Sequence, residues 1–197
     1  MSEISKVIDT VLKIELVPFL NKLGFKKKGR NFYKEYDNRI EVINVQASQW
    51  NSGQSGRFTL NIGVYYPEIA KLAEAPSITG LPKEYNCTLH ERIGFLTSEQ
   101  RDIWWEVDSH SELSIVGADV ANKVRQYCLP WLDKMSDLVN VKTSASESQN
   151  SLLAAVISLY LGDTSESRFY FELALKEKPL AKSRIKSWAS KYGVSEP

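Results

Sequence analysis

The sequence predicts an α+β protein with an N-terminal helix and an antiparallel sheet of four or five strands, with helices packed on one face. Three observations carry this prediction. Residues 2–23 have the apolar spacing of an amphipathic helix, and residues 31–66 contain segments in which apolar and polar side chains alternate. From about residue 111 the apolar spacing becomes helical again. Strands between helical segments favour a sheet that is covered on one side.

The first helix has recognisable ends. Ser2 is a suitable N-cap, since its hydroxyl can accept a hydrogen bond from a backbone N–H in the first turn. Gly24 is a suitable stop, because glycine tolerates a positive φ. We expect Pro18 to kink the helix or to begin its last turns.

Three strands are predicted next, at residues 31–36, 39–49 and 57–66, with a tight turn at Asp37–Asn38. Alternation assigns each side chain to one face. The face expected to line the core comprises Ile43, Val45, Ala47, Phe58, Leu60, Ile62 and Val64. Ile40 and Val42 fall on the other side, which indicates either a bulge or a partly covered outer face.

The outer face is a candidate binding surface. Its predicted members are Asn44, Gln46, Ser48, Trp50, Arg57, Thr59, Asn61 and Tyr65. Hydrogen-bonding groups beside an aromatic ring are what a ligand or a protein partner requires. The alternative is a face that is solvated or covered by a later helix.

The remaining elements follow from the same patterns. We predict a short helix at 67–74, further strands at 86–96 and 101–107, and helices over 111–138 that Pro130 divides. Residues 1–140 would form the α+β domain. The Ser- and Thr-rich residues 141–150 would be a linker, and residues 151–197 a tail of three short helices. The tail is too small to bury a core alone, so we expect it to dock on the first domain.

Composition excludes several classes of protein. The 197 residues carry a formal net charge of +1, which argues against a protein that coats nucleic acid or lipid over its whole surface. The neutral total conceals a basic segment at 22–39, an acidic one at 84–119 and a second basic one at 176–191. Two cysteines, no secretion signal at the start and no apolar run of about 20 residues indicate a reduced, cytoplasmic protein without membrane association.

The basic arm, defined as Lys26, Lys27, Lys28 and Arg30, lies near several aromatic residues. Such a pattern can hold phosphate groups or nucleic acid. Two structural roles compete with this interpretation. Lysines after a helix end favour its negative pole, and charges on an edge strand prevent aggregation.

Recognisable catalytic chemistry is absent from the sequence. There is no phosphate-binding glycine loop and no nucleophile elbow, so we assign no catalytic residue and no cofactor. Cys87 and His90 are three apart, and on a strand they would point to opposite faces, so we expect no metal site. The acids between Glu84 and Asp119 leave an enzymatic alternative open, with Glu106 and Asp108 as its test positions.

The tail resembles one tetratricopeptide repeat. The matching residues are Leu161, Gly162, Asp163, Phe171, Ala174, Leu175 and Pro179. The resemblance implies a tight helical hairpin, and a single repeat cannot build the groove that repeat arrays use.

Residues 1 to about 135 resemble a bacterial family known as domain of unknown function 4304. The residues that carry the resemblance are Gly24–Lys27, Phe32–Tyr33, Val42–Trp50, Phe58–Val64, Cys87, Arg92–Gly94 and Trp104–Trp105. It implies a bacterial cytosolic α+β protein and no particular reaction. Our leading hypothesis is a non-catalytic protein-interaction module, by analogy with immunity proteins that neutralise toxins. The alternatives are a nucleic-acid or phosphate-binding module built on the basic arm and an enzyme with an acidic site.

Overall fold

A computed structural model describes residues 2–194 of the chain. These residues form two compact units. Unit 1 comprises the chain up to Tyr65 together with Ile78–Asp133, and unit 2 comprises Tyr66–Ser77 together with the chain from Lys134 onward. The outermost parts of the predicted domain and tail, at Met1 and residues 195–197, lie outside the described residues.

The predicted N-terminal helix is present as α1 (Glu3–Val11), a π-helical turn (Leu12–Leu16) and α2 (Val17–Lys22). The Ser2 hydroxyl accepts a hydrogen bond from the N–H of Ser5, as an N-cap does. At the other end Gly24 has a φ of +87°, which a side chain would strain.

Each of the two π-helical turns in the described part of the chain ends two residues before a proline. The second turn, Val124–Cys128, links α4 (Leu113–Lys123) to α5 (Leu129–Lys134) without a break. In each case a residue just before the proline, Val17 or Leu129, donates its N–H to the carbonyl five residues earlier. Because a proline ring clashes with the carbonyl of residue i−4 in a regular helix, the wider turn lets the helix continue past it.

Within residues 2–194, six strands form one antiparallel sheet, which confirms the predicted α+β class. Their bounds are β1 (Lys26–Lys28), β2 (Asn31–Glu35), β3 (Ile40–Ala47), β4 (Ser55–Tyr65), β5 (Leu89–Arg92) and β6 (Trp105–Asp108). The first four pair in chain order. The far side of β4 is shared, since β5 pairs with positions 61–64 and β6 with positions 55–58. Five of these six strands were predicted from the sequence, and the one that was not predicted is β1.

The predicted fourth strand at 86–96 is shorter than expected. It is divided into a 3-10 turn (Glu84–Asn86), β5 and a second 3-10 turn (Ile93–Leu96). The segment that follows β5 folds back, so that Gly94 lies against the backbone of Arg101. A Cβ at this position would lie 2.1 Å from the carbonyl oxygen of Arg101, so only glycine fits.

The inner face of the sheet forms the main core of unit 1. Apolar side chains of β2, β3 and β4 pack there against α1, the first π-helical turn, α2 and α4, as the alternation predicts. Trp105 stacks on Phe58 with 5.5 Å between ring centroids, and its indole N–H donates to Asp119. Gly117 lets α4 approach α1, because a Cβ there would lie 3.0 Å from the carbonyl oxygen of Val11.

The outer face is apolar at one end. Val42 is fully buried in a small cluster with Tyr33 and Cys87. Pairing between β3 and β4 runs unbroken from Ile40 to Ala47, so the predicted alternative of a bulge is wrong and that of a partly covered face is correct. Gly63 makes room for this cluster, since a Cβ there would lie 2.5 Å from the sulfur of Cys87.

Unit 2 is helical. Its helices are α3 (Pro67–Leu72), α6 (Leu138–Glu147), α7 (Ser151–Tyr160), α8 (Thr164–Glu177) and α9 (Lys182–Lys191). The Trp188 indole N–H donates to the carbonyl of Leu72 at 2.8 Å and ties α9 to α3. The hydroxyl of Ser167 on α8 donates to the carbonyl of Ala155 on α7 at 2.8 Å. The tail therefore contains a helical hairpin, while its tetratricopeptide resemblance and its docking on the first domain stay predictions.

The predicted linker at 141–150 is wrong, because most of it belongs to α6. Its serines and threonine suggested a loop, yet Val141 and Ala145 are fully buried, and their spacing of four places them on one helix face. Asp137 caps the helix by accepting from the N–H of Val139. The Thr143 hydroxyl donates to the carbonyl of Val139, so the helix itself satisfies this polar side chain.

Candidate binding surface on the outer face of the sheet

A row of polar side chains crosses four strands on the outer face. The register aligns Asn31 of β2, Asn44 of β3, Asn61 of β4 and Arg92 of β5. Asn44 donates to the side-chain oxygen of Asn31 at 2.8 Å, Asn61 donates to that of Asn44 at 3.1 Å, and the Arg92 Nε–H donates to that of Asn61 at 3.2 Å. We call these four residues the amide row. Each side chain holds the next, so the hydrogen bonds fix the geometry of this surface.

Arg92 links the amide row to the segment before β6. Its Nη2 donates to the side-chain oxygen of Gln46 at 3.2 Å, and its Nη1 donates to a carboxylate oxygen of Asp102 at 2.9 Å. The same oxygen of Asp102 accepts the indole N–H of Trp104 at 2.8 Å. Arg92 and Asp102 therefore hold the ring of Trp104 on the outer face.

Two guanidinium groups lie near that ring. The central carbon of the Arg57 guanidinium is 4.9 Å from the ring centroid of Trp104, and that of Arg92 is 5.6 Å away. Both distances are within the range of a cation–π interaction. The contacts align the exposed side chain of Arg57 with the ring.

The loop between β3 and β4 presents Trp50, whose side chain is 78% exposed. Asn51 fixes this loop to β4, because its side-chain amide donates to the carbonyl of Arg57 and accepts the Arg57 N–H, at 3.0 and 2.8 Å. The Ser48 hydroxyl accepts the N–H of Trp50 at 3.2 Å. A large exposed ring on a loop held in this way is the kind of side chain that anchors protein interfaces.

Two depressions meet at Trp50 and Arg57. The aromatic depression measures about 320 Å³ and is lined by Gln46, Ala47, Ser48, Gln49, Trp50, Arg57 and Trp104. The acidic depression measures about 450 Å³ and contains Glu106 and Asp108. Hydrogen bonds from the Ser111 hydroxyl and the His110 N–H lower the pKa of Asp108 below its ordinary value.

Thr59 is an anomaly on this face. Its side chain is completely buried, and its hydroxyl has no hydrogen-bond partner among the described residues. It lies directly across from Gln46 and two positions from both Arg57 and Asn61, on the same side of β4. An unsatisfied buried polar group costs about 1–3 kcal/mol.

The structure brings together seven of the eight residues predicted for the outer face. Gln46, Ser48, Trp50 and Arg57 line the aromatic depression. Asn44 and Asn61 belong to the amide row, and Thr59 is buried at its edge. Tyr65 is separate, because it packs against the apolar cluster at the other end of the face.

The basic arm does not converge on one point. Lys26, Lys27 and Lys28 form the exposed edge strand β1, so their side chains alternate between its two sides. Arg30 is bound elsewhere: its guanidinium donates to a carboxylate oxygen of Asp9 at 2.8 Å and to the carbonyl and hydroxyl oxygens of Ser5. It fastens the turn between β1 and β2 to α1.

Sequence reasoning missed three residues of the surface, namely Arg92, Asp102 and Trp104. Neighbouring side chains of a strand point to opposite faces, so one ring of Trp104–Trp105 points inward and the other outward, but alternation alone does not decide which. Trp105 pairs with the inward-facing Phe58, which leaves its neighbour Trp104 on the outer side. Arg92 is placed on the outer face by its pairing with Asn61. Neither pairing can be read from one strand alone.

Between residues 2 and 194, no group of three or more His, Cys, Asp or Glu side chains could hold a metal ion. Cys87 is buried, and burial raises the pKa of its thiol well above the ordinary value, whereas His90 is exposed. Over the same residues, no helix combines the length and apolar character needed to cross a bilayer.

The fold and surface define a small α+β domain whose sheet is covered by helices on one face and carries a preorganised polar surface on the other. The family described as Domain of unknown function (DUF4304) matches residues 16–134, and the chain belongs to it. The match covers the whole sheet and every residue of the two depressions, and it ends where unit 2 resumes. No curated protein and no solved structure matches the chain.

Proposed function

We propose that this protein is a non-catalytic interaction module that binds a protein partner through the outer face of its sheet. The exposure of Trp50 is the observation that carries the proposal. A tryptophan that is 78% exposed leaves a large apolar area in contact with water. A partner that covers this area gains the free energy of burying it. Arg57 and Trp104 beside it are also of the types that dominate binding energy at protein interfaces.

The rigidity of the surface supports the same proposal. The amide row, Asp102 and Trp104 are joined by hydrogen bonds of 2.8–3.2 Å. Side chains that are already held lose less conformational entropy on binding, which favours affinity. The proposed setting is the cytoplasm of a bacterium. The most specific form of the proposal is a toxin-neutralising role, in which this face covers the active site of the partner.

The two alternatives are less well supported. A phosphate-binding role for the basic arm requires converging cations, whereas Lys26–Lys28 alternate and Arg30 is paired with Asp9. An enzymatic role for Glu106 and Asp108 rests only on their joint presence in the acidic depression.

Site-specific photo-crosslinking tests the proposal. A benzophenone amino acid is placed at position 50 and, as a matched control, at position 169, since Phe169 is an aromatic residue that is 59% exposed in unit 2. Both proteins are irradiated in lysate of the organism that encodes the chain. We expect one protein to be crosslinked from position 50 and not from position 169. No adduct at position 50, or the same adducts from both positions, would contradict the proposal.

A further inference from the structure

We infer that the aromatic depression binds the carboxylate of an aspartate or glutamate side chain on the protein partner, and that Arg57 is the group that receives it. Trp50 and Trp104 would pack against apolar atoms on either side of that carboxylate. This inference rests on the proposed function and adds the chemistry of the partner at the same surface.

The aromatic depression carries a positive charge. Among its lining residues Arg57 is the one that is charged, and the remainder are two tryptophans, an alanine, a serine and two glutamines. The carboxylates of Glu106 and Asp108 line the adjoining acidic depression, which Arg57 also lines. Because the aromatic depression itself contains a cation and no carboxylate, it favours an anionic group over a cationic one. Because arginine presents a planar fork of N–H donors, the anion that matches it best is a carboxylate bound through both oxygens.

Arg57 differs from the partly buried arginines of unit 1 in having no carboxylate partner among the described residues. Arg30, Arg39 and Arg92 each lie within 3.2 Å of a carboxylate oxygen. Arg57 stands directly across from Glu106 in the register of β4 and β6, a position that favours a cross-strand ion pair. Among the described residues no ion pair to Arg57 is formed, and its guanidinium lies near the ring of Trp104 instead.

Gln46 presents hydrogen-bond donors in the same depression. Its side-chain oxygen already accepts from Asn61 and Arg92, at 2.9 and 3.2 Å, which leaves its amide N–H groups for a ligand. A carboxylate has room for about four hydrogen bonds and matches a site that offers N–H groups from both Gln46 and Arg57.

Titration with blocked peptides, followed by NMR of the full chain labelled with ¹⁵N, tests this inference. The probes are acetyl-Leu-Glu-Leu-amide, its glutamine equivalent acetyl-Leu-Gln-Leu-amide, and acetyl-Leu-Leu-Leu with a free carboxyl terminus. We expect the glutamate peptide to shift the side-chain N–H signals of Arg57, Trp50 and Trp104, with an affinity about tenfold or more above that of the glutamine peptide, the effect of one charge-assisted hydrogen bond.

Variants assign the effect to one side chain. Arg57→Gln should abolish the preference for glutamate over glutamine, and Arg57→Lys should retain part of it. The matched control is Arg125→Gln, because Arg125 also lies near an aromatic ring, Phe19, at 4.7 Å, but outside the depression. That variant should bind the glutamate peptide like the parent protein.

Each remaining outcome would overturn the inference. Equal shifts from the glutamate and glutamine peptides would show that the carboxylate is not recognised, and the absence of shifts from both would show that the depression binds neither. Stronger binding of the free carboxyl terminus would assign the site to a chain end instead of a side chain. If position 50 crosslinks to a partner while Arg57→Gln leaves that adduct and the peptide titration unchanged, the proposed function stands and the carboxylate assignment fails.

Discussion

Replacing Arg92 by methionine should destabilise unit 1 by about 2 kcal/mol. Methionine keeps much of the aliphatic volume but removes three hydrogen bonds, to Asn61, Gln46 and Asp102. A net contribution of about 1 kcal/mol for each bond gives about 3 kcal/mol. The side chains of Arg92 and Asp102 are 29% and 37% exposed, so solvent screening lowers this sum to about 2 kcal/mol.

Urea unfolding at 25 °C, followed by tryptophan fluorescence, measures this effect. Four of the five tryptophans belong to unit 1, so the signal reports mainly on that unit. With a slope of about 2 kcal/mol per molar urea, the midpoint should fall by about 1 M. Arg101→Met is the matched control, because Arg101 meets only Glu99 at 3.7 Å and both are well exposed. Equal midpoints for the two variants would refute the assignment of Arg92 as the centre of the network.

Three further predictions follow from the described contacts. Gly94→Ala should lower the free energy of unfolding by about 3 kcal/mol, because the new Cβ would overlap the carbonyl oxygen of Arg101. Gly80→Ala should lower it by about 1 kcal/mol, because only the φ of +79° is unfavourable there. Equal unfolding midpoints for the two variants would contradict this prediction. Burial raises the pKa of Glu41 in the folded state above 4.5, so its contribution to stability is present below that pH and is lost as the pH rises through the folded pKa. The free energy of unfolding of the parent protein minus that of Glu41→Gln should therefore fall from pH 4 to pH 7. A constant or rising difference would count against this prediction. Replacing all of Lys26–Lys28 by threonine should increase self-association in sedimentation experiments, because the edge strand loses its charges; a variant that stays monomeric would argue against edge protection.

Local patterns were sufficient to predict the inner face of the sheet. The alternation of Phe58, Leu60 and Ile62 has one solution in an antiparallel sheet, since a shift by one residue would expose all three. The apolar spacing of residues 2–23 was likewise sufficient to predict the N-terminal helix. Its π-helical turn was not predicted; the wider turn removes the clash between the ring of Pro18 and the carbonyl four residues earlier.

The surface could be predicted only in part, for a physical reason. The members on β3 and β4 follow from alternation within each strand, whereas Arg92 joins them through a pairing between residues 31 positions apart. Whether the face is polar or apolar also depends on what covers it. Tyr65 shares the alternation of Asn61 but packs against a cluster that the segment carrying Cys87 completes.

Helix α6 is an element for which the local sequence composition led to a wrong prediction. Serine and threonine favour loops because their hydroxyls compete for backbone groups, and residues 141–150 contain three serines and one threonine. Inside a helix the same hydroxyl can bond the carbonyl four residues earlier, as Thr143 does with Val139. Burial of Val141 and Ala145 then decides in favour of the helix.

The most direct test of the central claim is the affinity of the partner that position 50 captures, measured by calorimetry. Trp50→Ala should weaken binding by about 2 kcal/mol or more, about thirtyfold, because a central tryptophan anchor is removed. Phe169→Ala, which removes a comparably exposed ring from unit 2, should leave the affinity within about twofold. Equal affinities for Trp50→Ala and the parent protein would show that the outer face of the sheet does not bind the partner.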